Sequence, residues 1–205
     1  MTPDSFIERT VHGEPGVDAQ GIHRSQVKQR GPVEFRLAEP ADALCVGVLA
    51  MQVFLDTYAP DGLRPDIARE ALANYRPTVF EVRIRDTSNH FILVERTGHL
   101  IAFSECSVSS EPPQPSLSMG VELVRLYVQR NAQRAGIGAA LLARAESRAK
   151  GMRRPLLWLT AWSGNTNARA FYLAQGYQDV GATDHVFEGK AYENRIFRKV
   201  LEKPR

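Results

Sequence analysis

The stretch VELVRLYVQRNAQRAGIGAALL, residues 121–142, decides how this 205-residue chain is read. Its opening VELVRLYV reads as a strand, and Ile137, Leu141, Leu142 and Ala145 repeat at helical spacing. Gly136 and Gly138 stand between the two, one residue apart. A strand, a glycine turn and a helix N-terminus together make a recurrent anion site. Free backbone N–H groups converge there, and the helix dipole adds partial positive charge. Glycine also lets the backbone approach an oxygen-rich ligand with no Cβ in the way.

Spacing separates three phosphate-binding patterns. A Walker loop needs G-x-x-x-x-G-K-[ST], and no such lysine follows Gly136. A dinucleotide fingerprint needs Gly or Ala three residues after Gly138, where Leu141 stands, and an acidic residue about 20 positions on. The third pattern, Q-x-x-G-x-G, is met by Gln133, Gly136 and Gly138. Here the chain resembles the GNAT superfamily of acetyl-CoA-dependent N-acetyltransferases, which carry [RQ]-x-x-G-x-[GA] between a strand and a helix. A second block, NTNARAFYLAQGYQDVG (165–181), resembles the family segment N-x-x-A-x-x-[FL]-Y-x-x-x-G-[FY]. Asn165, Ala168, Phe171, Tyr172, Gly176 and Tyr177 fall at its positions. The resemblance covers about residues 33–201, with both motifs in the family's order.

The rest of the chain supplies a mixed α/β domain. VEFRLAEP (33–40) alternates as a half-buried strand. Residues 41–59 form a first helix with Leu44, Val48, Met51, Gln52 and Leu55 at helical spacing. Pro65 and DIAREALANY (66–75) form a second. HFILVE and LIAFSECSV flank the turn RTGH as antiparallel strands. LLWLTAW (156–162) is a short buried strand, and NARAFYLAQ (167–175) is a helix stopped at Gly176. HVFEGKAYENRIFRKVL (185–201) gives a last pair of strands connecting near Glu188, Gly189 and Lys190. The predicted order is β-α-α-β-β-β-α-β-α-β-β, which the resemblance turns into a GNAT-like, mostly antiparallel sheet flanked by helices. Residues 1–32 have no sustained period and many glycines and prolines. They are expected to lie outside the 33–205 acetyltransferase domain, poorly ordered or laid on the surface.

Composition narrows the class. Apolar residues make up 43% and charged residues 24%, with a net charge of +3, ordinary for a globular protein and without the basic concentration of a nucleic-acid binder. Arg144, Arg148, Lys150, Arg153 and Arg154 read as a solvated helix face and its exit. Cys45 and Cys106 are expected as small core residues of a reducing, cytoplasmic compartment. No apolar run reaches the roughly 18 residues of a membrane span, and Asp4 and Glu8 argue against a secretory leader. The histidines His12, His23, His90, His99 and His185 lack metal-ligand spacing, so no metal site is expected.

The resemblance implies acetyl transfer from acetyl-CoA to a primary amine, on a small molecule such as a polyamine or on a protein. The C-terminal spacing looks like the bacterial spermine/spermidine-type branch. A non-catalytic acyl-CoA-binding module of the same fold is the competing reading. Backbone groups of Leu126, Tyr127 and Val128 would run beside the pantetheine arm, with Leu126 and Val128 pairing to it. Gln133 and the amides of Arg134, Ala135, Gly136, Ile137, Gly138 and Ala139 would wrap the pyrophosphate, and Asn165 would bind the arm. Glu122 occupies a position resembling the family's general-base glutamate, with Glu105 as an alternative. Tyr172 is the candidate general acid, and Phe171 beside it the better core residue. Trp158 and Trp162 read as core, with Trp162 near enough to the strand end to border the acyl site. Asp56, Asp61, Asp66 and Glu70 offer negative charge to a cationic amine, or a solvated helix surface. Strand edges near the C-terminus would permit a homodimer.

Overall fold

The computed structural model describes residues 31–187 and 189–201. The segment expected outside the domain falls almost wholly outside these residues, as does Glu188 at the last connection. β1 (Val33–Leu37) leads through a short turn into α1 (Ala43–Tyr58), α2 (Pro65–Asn74) and α3 (Pro77–Arg85). β2 (Asn89–Arg96), β3 (His99–Ser107) and β4 (Val121–Val128) precede α4 (Ile137–Gly151), β5 (Leu156–Trp162) and α5 (Thr166–Ala174). β6 (Gln178–Phe187) and β7 (Lys190–Val200) complete one sheet of order β1-β2-β3-β4-β5-β7-β6. Among the described residues only β4 and β5 pair in parallel; every other neighbouring pair is antiparallel. The mixed, mostly antiparallel sheet expected from sequence is the one observed.

Apolar pattern explains the layers. Along β2, Phe91 and Leu93 join Phe80, Phe54 and Val46 on one face, while Ile92 and Val94 join Ile137 and Leu141 on the other. Helices cover both faces, so the strand reads as an unbroken apolar run rather than an alternating one. α1, α2 and α3 lie on the first face. α4 packs on the second, and there Leu142, Ala145 and Tyr172 close over Leu123, Leu157, Leu159 and Phe197. Each fully buried Phe or Leu in these layers contributes about 1.5–3 kcal/mol of transfer free energy. The β2–β3 turn places Thr97 and Gly98 at φ 49° and 75°, the paired left-handed residues of a two-residue hairpin.

The structure departs from the sequence reading in four places. The helix α3 was not predicted. Its stretch VFEVRIR alternates Val82 and Ile84 with arginines in a strand-like rhythm, yet Pro77 opens a helix there. α1 buries Ala43, Val46, Gly47, Leu49, Ala50 and Phe54, whereas Leu44 and Val48 of the predicted face are 61% and 59% exposed. Gln52 is exposed too. Two apolar stripes compete on this helix, and the smaller side chains win because they let it sit close to the sheet and to α3. With its leading turn, Pro40–Tyr58 is a 19-residue stretch of mean hydropathy 1.3, long and apolar enough by composition to cross a membrane. One side of it forms part of the α1–α3 core. Cys45 is exposed on α1, and only Cys106 is buried. Finally, β6 begins at Gln178, well before the predicted final pair.

Candidate active site

The parallel pairing of β4 with β5 lasts for two residue pairs, Val121 with Leu157 and Glu122 with Trp158. Past Glu122 the strands part. β5 stays bound to β7 along its whole length and β4 to β3, so the gap opens inside the sheet. On β4 a bulge falls at Val124, because Glu105 pairs with Arg125 and Cys106 with Leu123. A bulge of this kind re-aims the residues that follow it. Gln129 N donates to Ile101 O at 3.0 Å, which makes Val128–Ala102 a non-hydrogen-bonded pair. Tyr127 therefore spends its backbone groups on β3, and Leu126 and Val128 turn theirs toward the gap.

The glycine loop closes one end of this opening. Arg134 and Gly136 have φ of 59° and 79°, left-handed residues on either side of Ala135, the backbone pattern of an anion-binding nest. At Gly136 the site a Cβ would occupy has no neighbouring atom within 4 Å, so the backbone there faces open space. Ala140 is the first α4 amide with a partner of its own, donating to Gly136 O at 3.0 Å. The earlier amides of α4 are the free donors of a helix start. Gly138 differs: a Cβ there would rest 3.5 Å from Phe171 Cζ, an ordinary contact. Gln133 spans the loop, its Nε2 donating to Val128 O at 3.1 Å. That bond occupies one of the acceptors expected to face the pantetheine arm.

The gap continues into a cleft of about 790 Å³. Leu126, Tyr127, Val128, Gln133, Arg134, Gly136, Gly138 and Ala139 line it from the β4–α4 side. Asn165, Phe171 and Tyr172 line it from α5, and Phe54, Tyr58 and Trp162 from α1 and β5. Three of the sequence candidates are not in the wall. Ala135 is exposed on the loop, and the Ile137 side chain is 4% exposed within the core. Glu122 sits where the strands begin to part.

The two catalytic candidates differ in surroundings. Glu122 is half-buried, and desolvation holds its carboxyl above the usual carboxylate range. The Ser110 hydroxyl, which donates to it, opposes that shift; the Glu105 charge adds to it, and Arg83 and Arg125 oppose it. Tyr172 is buried against Phe171, Tyr177 and Phe197, at centroid distances of 5.2, 5.8 and 5.9 Å. Burial raises its phenol well above the ordinary value. The expectation for its neighbour is reversed: Phe171 is half-buried, and Tyr172 is the core residue as well as part of the cleft wall. Glu105 does not serve as the alternative base. Its fully buried carboxylate is ion-paired to Arg83 on one oxygen and Arg125 on the other. Asn165 caps α5, its Oδ1 accepting from Ala168 N at 3.1 Å, which leaves its amide NH2 to meet a ligand.

Sequence reasoning also missed the ring residues Phe54 and Tyr58. They lie in the segment singled out for its acids, and the helical period that places Phe54 inward was the signal available.

Family comparison bears on this geometry. The acetyltransferase (GNAT) family matches residues 54–177, which span the gap, the loop and α5. This chain belongs to the acetyltransferase (GNAT) family. GNAT enzymes transfer acetyl from acetyl-CoA to amines. An uncharacterized N-acetyltransferase from the pepI 3′ region of Lactobacillus delbrueckii subsp. lactis is 24% identical over 139 residues, 68% of this chain and 79% of the relative. Among solved structures, the PaiA N-acetyltransferase of Thermoplasma acidophilum in complex with coenzyme A superposes with a TM-score of 0.65 at 20% identity. That match covers 82% of this chain and 99% of the other. The YncA putative acetyltransferase of Salmonella typhimurium, with its cofactor acetyl-CoA, gives 0.59 at 16% identity over 84% and 95%. A ribosomal-protein-alanine N-acetyltransferase from Brucella melitensis gives 0.60 at 22% identity over 82% and 99%.

Proposed function

We propose that this GNAT chain binds acetyl-CoA in the β4–β5 cleft and acetylates a primary amine there, with Glu122 as general base and Tyr172 as donor to the leaving sulfur. The observation that carries the reading is the pairing of a left-handed glycine nest, open at Gly136, with a strand edge turned into the same gap. The nest and the α4 N-terminus suit a pyrophosphate, and the Leu126 and Val128 edges suit an amide-bearing arm. Bound acetyl-CoA supplies the activated thioester.

The chain's own work is with protons. A lysine-like amine, of reference pKa near 10.4, needs about 4.6 kcal/mol to reach its neutral form at pH 7. Glu122 lies outside the cleft wall and takes the proton through one water as the amine attacks. Its raised pKa brings its basicity nearer to the working pH. Tyr172 keeps its proton throughout this range, because burial disfavours the phenolate. It donates a hydrogen bond at its Oη to the sulfur as charge develops.

Polyamines, suggested by the C-terminal spacing, and protein amines both belong in the acceptor panel. The test is thiol release from acetyl-CoA across polyamines, simple alkylamines, arylalkylamines and peptides. Release that depends on one class of amine supports catalysis. Tight coenzyme A binding with no release for any of them would make the chain a non-catalytic acyl-CoA-binding module.

A further inference from the structure

The α1 and β5 side of the cleft is built from rings. Phe54 and Tyr58, one turn apart on α1, have centroids 4.9 Å apart, and Phe54 stacks on Tyr75 at 4.8 Å. Tyr58 then meets Trp162 at 5.4 Å, joining the end of α1 to the end of β5 across the opened sheet. Phe54, Tyr58 and Trp162 all line the cleft. Behind them, the Tyr75 and Tyr127 hydroxyls lie 3.4 Å apart.

Trp162 is held in place from behind. A Cβ at residue 164 would fall 2.5 Å from its Cζ2 and 2.7 Å from its Cη2. The indole therefore lies directly on the Gly164 backbone, and any side chain at 164 would drive it off. With Tyr58 against one part of the ring and Gly164 beneath, the indole presents a fixed flat surface to the cleft. Tyr58 keeps 38% of its surface exposed, so its ring is open to a ligand in the cleft.

Negative charge is sparse on this wall. Asp56 is its one carboxylate among the described residues, and it shares a second, smaller hollow with Arg130. Asp66 is bonded through both oxygens to Arg64, at 3.1 and 2.8 Å. Glu70 lies outside the wall, close enough for its charge to reach the Tyr58 hydroxyl. A polyamine carries several ammonium groups along its length, and a wall with one carboxylate can ion-pair only one of them. A single amine on a flat apolar body needs one acid and a ring surface, which is what the cleft offers.

Building on the acetyl-transfer reading, we propose that the acceptor is an arylalkylamine, a primary amine on an aromatic or heteroaromatic body, which packs its ring against Phe54, Tyr58 and Trp162. The rings fix the acceptor's orientation, so its amine meets the thioester at the apex of the gap near Glu122. Trp162 is the specificity-determining residue, since it alone is anchored by β5 and reaches α1.

Steady-state thiol release by the full chain at saturating acetyl-CoA tests this with 2-phenylethylamine, tryptamine, butylamine and spermidine. The expected kcat/KM for either aromatic amine exceeds that for butylamine and spermidine by about tenfold or more, of the order a buried ring contact provides. Trp162→Ala removes that advantage mainly through KM for the amine, leaves the KM for acetyl-CoA within about twofold, and is rescued in large part by Trp162→Phe. Tyr58→Leu, from the opposite side of the wall, reduces the same ratio and serves if Trp162→Ala folds poorly. Equal or better turnover of butylamine or spermidine overturns the assignment and leaves acetyl transfer standing, as does an aromatic preference that survives both variants. No release with any of these four amines overturns the arylalkylamine assignment, and silence with the peptides of the wider panel as well overturns acetyl transfer itself.

Discussion

Tyr172 was legible as a catalytic candidate from its motif but not as a core residue. Adjacent helix positions point apart, and the sequence does not say which of Phe171 and Tyr172 turns inward. The structure buries the Tyr172 ring against Tyr177 and Phe197 and also places it in the cleft wall. Tyr172→Phe keeps the ring and removes the donor, so turnover should fall about tenfold or more with coenzyme A affinity nearly unchanged. Wild-type turnover in that variant would take Tyr172 out of the chemistry. For Glu122 the sign of the pH effect follows from its raised pKa, owed chiefly to desolvation. The base form appears only as pH rises through that raised value, so the acid limb of kcat/KM lies above the ordinary carboxylate range. Glu122→Gln should lose most activity near neutral pH, with the deficit shrinking as the amine approaches its own pKa near 10.4. A pH-independent deficit would argue against the base role. Glu105 shows the limit of residue types as signals. Both glutamates lie on strands, and only the structure reveals that two arginines hold one of them.

At the scale of elements, α4 and α5 were readable because each begins with a local device. Gly136 and Asn165 are signals that do not depend on distant packing. The Asn165 side chain accepts from Ala168 N, and Asn165→Ala should lower stability by about 1 kcal/mol. In a domain of this size that is a drop of about 2–4 °C in Tm, and coenzyme A affinity should fall as well because the variant also removes the side-chain NH2 that faces the ligand. An unchanged Tm would mean that the cap adds nothing to α5. α3 was not readable because its apolar residues alternate with arginines, and only the packing of Phe80 against Phe91 and Phe103 reveals the helix face. α1 was found but turned the wrong way. Its Leu44–Val48 stripe has the larger side chains, yet Gly47 lies close to the Tyr75–Pro77 backbone. A Cβ there would stand 3.0 Å from Tyr75 O, so that side of the helix must face α3.

For the whole molecule, the decisive feature is where the sheet fails to be a sheet. Among the described residues seven strands pair continuously except beyond Glu122, where β4 and β5 separate. No single residue in either strand announces the separation, because each strand keeps its full set of partners on its other side. The β4 bulge, the left-handed loop and the ring wall acquire meaning only around that gap. Amide hydrogen exchange of the full chain, with and without saturating coenzyme A, tests this account most directly. It predicts slowed exchange at the amides from Arg134 to Ala139 and at Leu126 and Val128, with β6 and β7 unchanged. Slowing confined to other segments, or no slowing at the glycine loop, would contradict the claim that this gap holds the acetyl donor.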